Sequence, residues 1–123
     1  MVDYAGRHAA LFNQGVRTGD FTAWLSTFTA DATLTFDGLP IPPAHGRDAI
    51  AAVYSGHPPS SPMRLVAVKG AVKGDGDGDT VTGDFVWVAA PSTGGRFTLH
   101  LRDGLLTSLE VALNAPPPPP RPA

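Results

Sequence analysis

The chain contains no cysteine, which excludes a disulfide scaffold, a thiolate metal site and a thiol nucleophile. Charge is scarce as well: 16% of residues are charged, against ~25% in an average chain. Nine basic and eleven acidic residues leave a formal charge of -2. The basic residues are scattered from Arg7 to Arg121 without a cluster. Nucleic-acid recognition needs a basic stripe, so no nucleic-acid partner is expected. No apolar run approaches the ~20 residues that span a bilayer, so no membrane partner is expected. Met1-Val2-Asp3-Tyr4 shows no basic stretch leading into an apolar one, and a cytoplasmic location is the expectation. Gly-x-Ser-x-Gly, Walker and dinucleotide glycine patterns are missing. So are His-x-His and His-Glu-x-x-His, and neither a metal nor a cofactor is expected. Asp75, Asp77 and Asp79 imitate the start of a calcium loop, but its sixth position is Thr80 and its twelfth is Val86, where Gly and Glu are required.

Apolar residues make up 42% of the 123 positions, enough for one core and too short for two domains. Six of the 13 prolines are Pro116 to Pro120 and Pro122. Residues 115–123 therefore read as a disordered, extended Pro-rich tail, and 3–114 as the folded domain. Asp3 is a cap for a first helix over Tyr4–Val16, with Ala5, Ala9, Phe12 and Val16 at helical spacing. Asp20 opens a second helix carrying Phe21, Trp24, Leu25 and Phe28. Asp31 to Asp37 alternates as a strand. Gly38 to Pro43 reads as a loop. Gly46-Arg47-Asp48 opens a third helix with Ala49, Ile50, Val53 and Tyr54 on one side, and Gly56 ends it. Strands then follow over 64–73, 81–90, 96–102 and 106–113. The turns between them are the acidic Gly74–Asp79 loop, Ser92–Gly95 and Asp103-Gly104. This order predicts an α+β fold with its helices gathered on one side of a sheet. Alternation puts Phe97, Leu99 and Leu101 on one face, and Thr98, His100 and Arg102 on the other.

The first helix, Gly19-Asp20, the Trp24/Phe28 segment, Asp31-Ala32-Thr33 and the stretch His45-Gly46-Arg47-Asp48-Ala49-Ile50-Ala51-Ala52-Val53-Tyr54 together resemble the NTF2-like superfamily, in its ketosteroid isomerase and SnoaL-like branch. The resemblance implies a cone: three N-terminal helices packed into a strongly curved, mixed, largely antiparallel sheet around an apolar pocket. It also implies a homodimer formed through the sheet. Members include isomerases, hydrolases, cyclases and plain binding modules, so the fold alone assigns no activity. The isomerase combines an Asp base with a Tyr and a neutral Asp as oxyanion donors. Counting along the motif puts Phe12 at the tyrosine and Phe36 at the base, with Asp37 next to it. No aspartate stands on the 96–102 strand.

Asp37 at a strand end and His100 in mid-strand are the residues expected to perform acid/base catalysis. Desolvation tunes a carboxylate upward, and imidazole titrates near neutrality. Asp84 or Glu110 is available to orient His100. His8, four residues after Tyr4, reads as a boundary residue, and His45 and His57 as loop residues. Phe12, Trp24, Phe28, Phe36, Tyr54 and Trp87 are the expected pocket lining. Such a pocket suits a hydrophobic small molecule. The expected function is cofactor-independent isomerisation, hydrolysis or cyclisation of a hydrophobic carbonyl, epoxide or polyketide compound. The alternative is a non-catalytic binding or dimeric interaction module.

Overall fold

The computed structural model describes residues 3–37, 41–56, 61–71 and 79–113. Helix α1 spans Tyr4–Thr18. The Asp3 carboxyl accepts the Gly6 N–H at 2.9 Å, satisfying a donor that the first turn leaves open. Gly19 ends the helix at φ 77°, with its N–H on the Gly15 carbonyl, a left-handed conformation that costs glycine nothing. The buried stripe of α1 is Ala5, His8, Ala9, Phe12 and Gly15.

Helix α2 is a single turn, Thr22–Leu25, shorter than the spacing predicts. The Asp20 carboxylate accepts from the Thr22 amide at 2.9 Å and from its hydroxyl at 2.6 Å. At the other end, the Ser26 and Thr27 hydroxyls turn back onto the Ala23 and Trp24 carbonyls, and such local bonds compete with a continuing helix. The Thr27 carbonyl instead takes the Leu106 N–H at 2.7 Å. Phe28 therefore opens strand β1, Phe28–Asp37. Strand β2, Ala44–His45, pairs antiparallel with Thr33 and Leu34; two residues are too few to leave a periodic signal. Helix α3 is Arg47–Gly56, as expected.

Strands β3 (Met63–Ala71), β4 (Asp79–Trp87), β5 (Ala90–Arg102) and β6 (Leu105–Leu113) form the expected antiparallel run. Asp103-Gly104 makes the expected β5–β6 turn, with φ 53° and 80°. The acidic loop and the Pro-rich tail lie outside the described residues. The expected turn at Ser92–Gly95 is not formed. The chain turns at Val88-Ala89, and Gly94 and Gly95 are strand residues paired with Val86 and Phe85. Their glycine character serves close approach: a Cβ on Gly94 would strike the Phe85 carbonyl, and one on Gly95 the Ala112 carbonyl.

The sheet order is β2-β1-β6-β5-β4-β3, with β1 parallel to β6. The sheet is mixed, mostly antiparallel, curved and unclosed, the NTF2-like cone. Its inner face presents Leu34, Val81, Phe85, Trp87, Phe97, Leu99, Leu101 and Leu109 to Ala5, Ala9, Phe12, Trp24 and Ile50 of the helices.

Gly95→Ala should destabilise the protein by about 1–3 kcal/mol, because the obstruction is backbone. Gly56→Ala, with nothing among the described residues within 4 Å of the added methyl, should change stability by less than about 0.5 kcal/mol. Urea denaturation of both variants checks the contrast.

Candidate functional site

His8 lies on the inward stripe of α1 and is 3% exposed. The expectation of a boundary residue is thereby corrected: position 8 falls three residues after Ala5 and four before Phe12, on the same face. The ring stands 4.8 Å from Phe97 and 5.7 Å from Trp24. Phe97 occupies that position because Gly83, its neighbour on β4, has no side chain; a Cβ there would meet the Phe97 ring at 2.5–3.0 Å.

From His8 the rings close a circuit. Phe97 stacks on Phe85 at 6.0 Å, Phe85 meets Trp87 at 5.1 Å, and Trp87 meets Phe12 at 6.3 Å. Phe12 meets Tyr54 at 6.4 Å, and Tyr54 lies 4.5 Å from Trp24, which returns to His8. α1, α2, α3, β4 and β5 all contribute to it. Of the six expected lining residues, Phe12, Trp24, Tyr54 and Trp87 are in this circuit. Phe28 joins through Trp24 at 4.7 Å. Phe36 is half-buried against the core and touches no ring in it.

The interior is not wholly apolar. His8 Nδ1, Trp24 Nε1 and Trp87 Nε1 are enclosed and have no hydrogen-bond partner among the described residues. A fourth such atom, Thr29 Oγ1, sits on β1 outside the circuit. Leaving a buried polar group unsatisfied costs ~1–3 kcal/mol, so three in one aromatic interior are a concentrated expense. Ser61, the other polar side chain buried among the described residues, is satisfied: its hydroxyl donates to the Pro62 carbonyl and accepts the Ala89 N–H. Burial, assisted by the Arg7 charge, pushes the His8 imidazole down to about 3. Burial also raises the Tyr54 hydroxyl well above its ordinary value. Both groups are uncharged at neutral pH.

Asp37 and His100 are placed elsewhere. Asp37 is exposed at the end of β1, opposite Ala112 of β6. His100 lies on the outer sheet face, its side chain 41% exposed, with Nε2 2.7 Å from Glu110 Oε2. Of the two carboxylates considered as partners, Glu110 takes His100. Asp84 instead accepts from Arg96 Nε at 2.7 Å, which holds the carboxyl below its usual range. Thr33–Ser108 and Thr82–Thr98 complete a row of cross-strand polar pairs on that face. Neither Asp37 nor His100 reaches the aromatic interior, because strand alternation assigns them the face opposite Leu34, Leu99 and Leu109. His45 is exposed on β2, and His57 lies outside the described residues. Among the described residues, no group of three His, Asp or Glu side chains is arranged to hold a metal ion.

Residues 9–108 match the SnoaL-like domain. The chain belongs to the SnoaL-like family. The match runs from α1 through the Asp103-Gly104 hairpin into β6. No curated protein matches by sequence. Among solved structures, the SnoaL-like chain is similar to a Nostoc punctiforme protein of unknown function with a cystatin-like fold. That pair has a TM-score of 0.70 at 16% identity, covering 94% of this chain and 92% of the other. A computationally designed 17-OHP binder gives 0.68 at 16% identity, with 90% and 91% covered. A Xanthomonas campestris pv. campestris protein provisionally named a polyketide cyclase gives 0.54 at 18%, with 90% of each chain covered. At these identities the likeness concerns the fold.

The enclosure of His8 is measurable through pH. The unfolded chain protonates His8 near 6.5 and the folded protein only near 3. Between those values the unfolded state binds the extra proton. Stability is therefore full above about pH 6.5 and falls below it at about 1.4 kcal/mol per pH unit. Asp20 and Asp84, held low by hydrogen bonds from Thr22 and Arg96, lose their contributions only below the ordinary 3.8. Urea denaturation between about pH 6.5 and 4.5 should show this slope in the wild type and lose it in His8→Leu. Equal slopes in both would contradict the burial of an uncharged imidazole.

Proposed function

We propose that this SnoaL-like protein is a small-molecule pocket protein whose ligand, a hydrophobic carbonyl, epoxide or polyketide compound, is held within the aromatic circuit. The observation that carries this reading is the set of polar atoms without hydrogen-bond partners among the described residues, His8 Nδ1, Trp24 Nε1 and Trp87 Nε1, inside an otherwise apolar interior. Binding sites combine such apolar walls with a few polar groups that orient the ligand. The similarity to a designed 17-OHP binder and to a provisionally named polyketide cyclase supports the same reading.

Isomerisation, hydrolysis or cyclisation of the ligand by acid/base chemistry would draw on His8 and Tyr54, the titratable side chains of the circuit. The alternative, a non-catalytic binding module, is favoured by one observation. No carboxylate belongs to the buried interior among the described residues, and an imidazole held near 3 is a weak base. The outer sheet face, with its row of polar pairs, is the proposed homodimer surface. A light-scattering mass of twice 12.8 kDa is the expected result.

Trp24 and Trp87 are the only tryptophans of the chain, so intrinsic emission reports the interior directly. Titration with hydrophobic ketones, epoxides and polycyclic polyketides should give a saturable emission change and a raised melting temperature. His8→Leu should alter affinity by about tenfold. Loss of binding in Asp37→Asn or His100→Ala, with His8→Leu unaffected, would move the site to the outer face and refute the proposal.

A further inference from the structure

The unused polar groups of the interior differ in kind. An indole N–H only donates, so Trp24 and Trp87 each call for an acceptor. Trp24 is fully buried and Trp87 is 6% exposed. A buried water makes about three hydrogen bonds, yet the neighbours of the Trp24 ring are the rings of His8, Phe21, Phe28 and Tyr54. An acceptor fixed on an apolar body suits such surroundings better than an isolated solvent molecule. Among the described residues, no Lys, Arg, Asp or Glu is buried. An ionised ligand group would meet an indole donor but no counter-charge, and burying an unpaired charge is far costlier than burying a neutral dipole.

We propose that the interior selects an uncharged carbonyl oxygen, taken by the indole N–H of Trp24 or of Trp87, and rejects a carboxylate on the same apolar frame. This rests on the small-molecule reading above and specifies which chemical group that site recognises. The aromatic walls determine that the ligand is apolar. An indole N–H determines that its polar atom accepts, and the lack of buried charge among the described residues determines that it is neutral.

Three probes of one ring system separate these requirements: acetylnaphthalene, ethylnaphthalene and naphthoate, titrated into the full-length ¹⁵N-labelled protein. Acetylnaphthalene should move at least one of the two indole N–H resonances downfield and bind about tenfold tighter than ethylnaphthalene, which offers no acceptor. Naphthoate should bind at least about tenfold more weakly than the ketone. Trp24→Phe and Trp87→Phe together should bring the ketone and the hydrocarbon to within about twofold of each other while both still bind. Equal affinity for ketone and hydrocarbon in the wild type, or naphthoate binding as tightly as the ketone, overturns the inference and leaves the small-molecule reading standing. Failure of all three probes to move either indole resonance overturns both.

Discussion

An enclosed polar atom without a partner is a standing cost to a fold, on the order of 1–3 kcal/mol, in a molecule whose whole stability is roughly 5–15 kcal/mol. Among the described residues, three such atoms, on His8, Trp24 and Trp87, share one aromatic interior. Replacing those side chains with Phe or Leu would keep the apolar packing and remove the cost. Their presence makes sense when something else supplies the missing hydrogen bonds. The reading of this chain as a small-molecule pocket protein depends on that imbalance.

The fold sustains the imbalance by fixing the rings from several directions. α1 presents His8 and Phe12, capped at one end by Asp3 and at the other by Gly19. Asn13 of the same helix joins the sheet edge: its amide donates to the Met63 carbonyl and accepts the Met63 N–H, both at 2.8 Å. Gly83 leaves room for Phe97. Gly95 and Gly94 let β5 lie close to its neighbours, which positions the strand that carries Phe97. Each restraint acts on an element that contributes a ring, so the circuit is a property of the whole cone rather than of one loop.

The parts of this architecture that repeat with a regular period could be read from the sequence. The α1 stripe, the alternation of Phe97, Leu99 and Leu101, and the Asp103-Gly104 turn all follow from spacing and turn chemistry. Departures came where local chemistry overrode period. Ser26 and Thr27 stop α2 after one turn, so Phe28 belongs to a strand. The glycines near 94 resemble a turn by composition but serve close strand approach. His8 belongs to the buried α1 stripe, three residues after Ala5 and four before Phe12, and is no boundary residue. Helical spacing, not the polarity of the residue type, decides its burial. The same alternation that buries Leu99 sends His100 outward. Its partner Glu110 was within the choices offered by the sequence, but only the register distinguishes it from Asp84. The ring circuit itself was not legible, since it joins residues up to 89 positions apart, His8 to Phe97.

The most direct test of the central claim is hydrogen–deuterium exchange at the two indole N–H groups of the ligand-free protein, followed by NMR. Enclosure within the aromatic circuit predicts that both exchange at least about 100-fold more slowly than a free indole under the same conditions. Exchange of both at the free-indole rate would show an interior open to water, and the account of an enclosed site with unmet donors would fail.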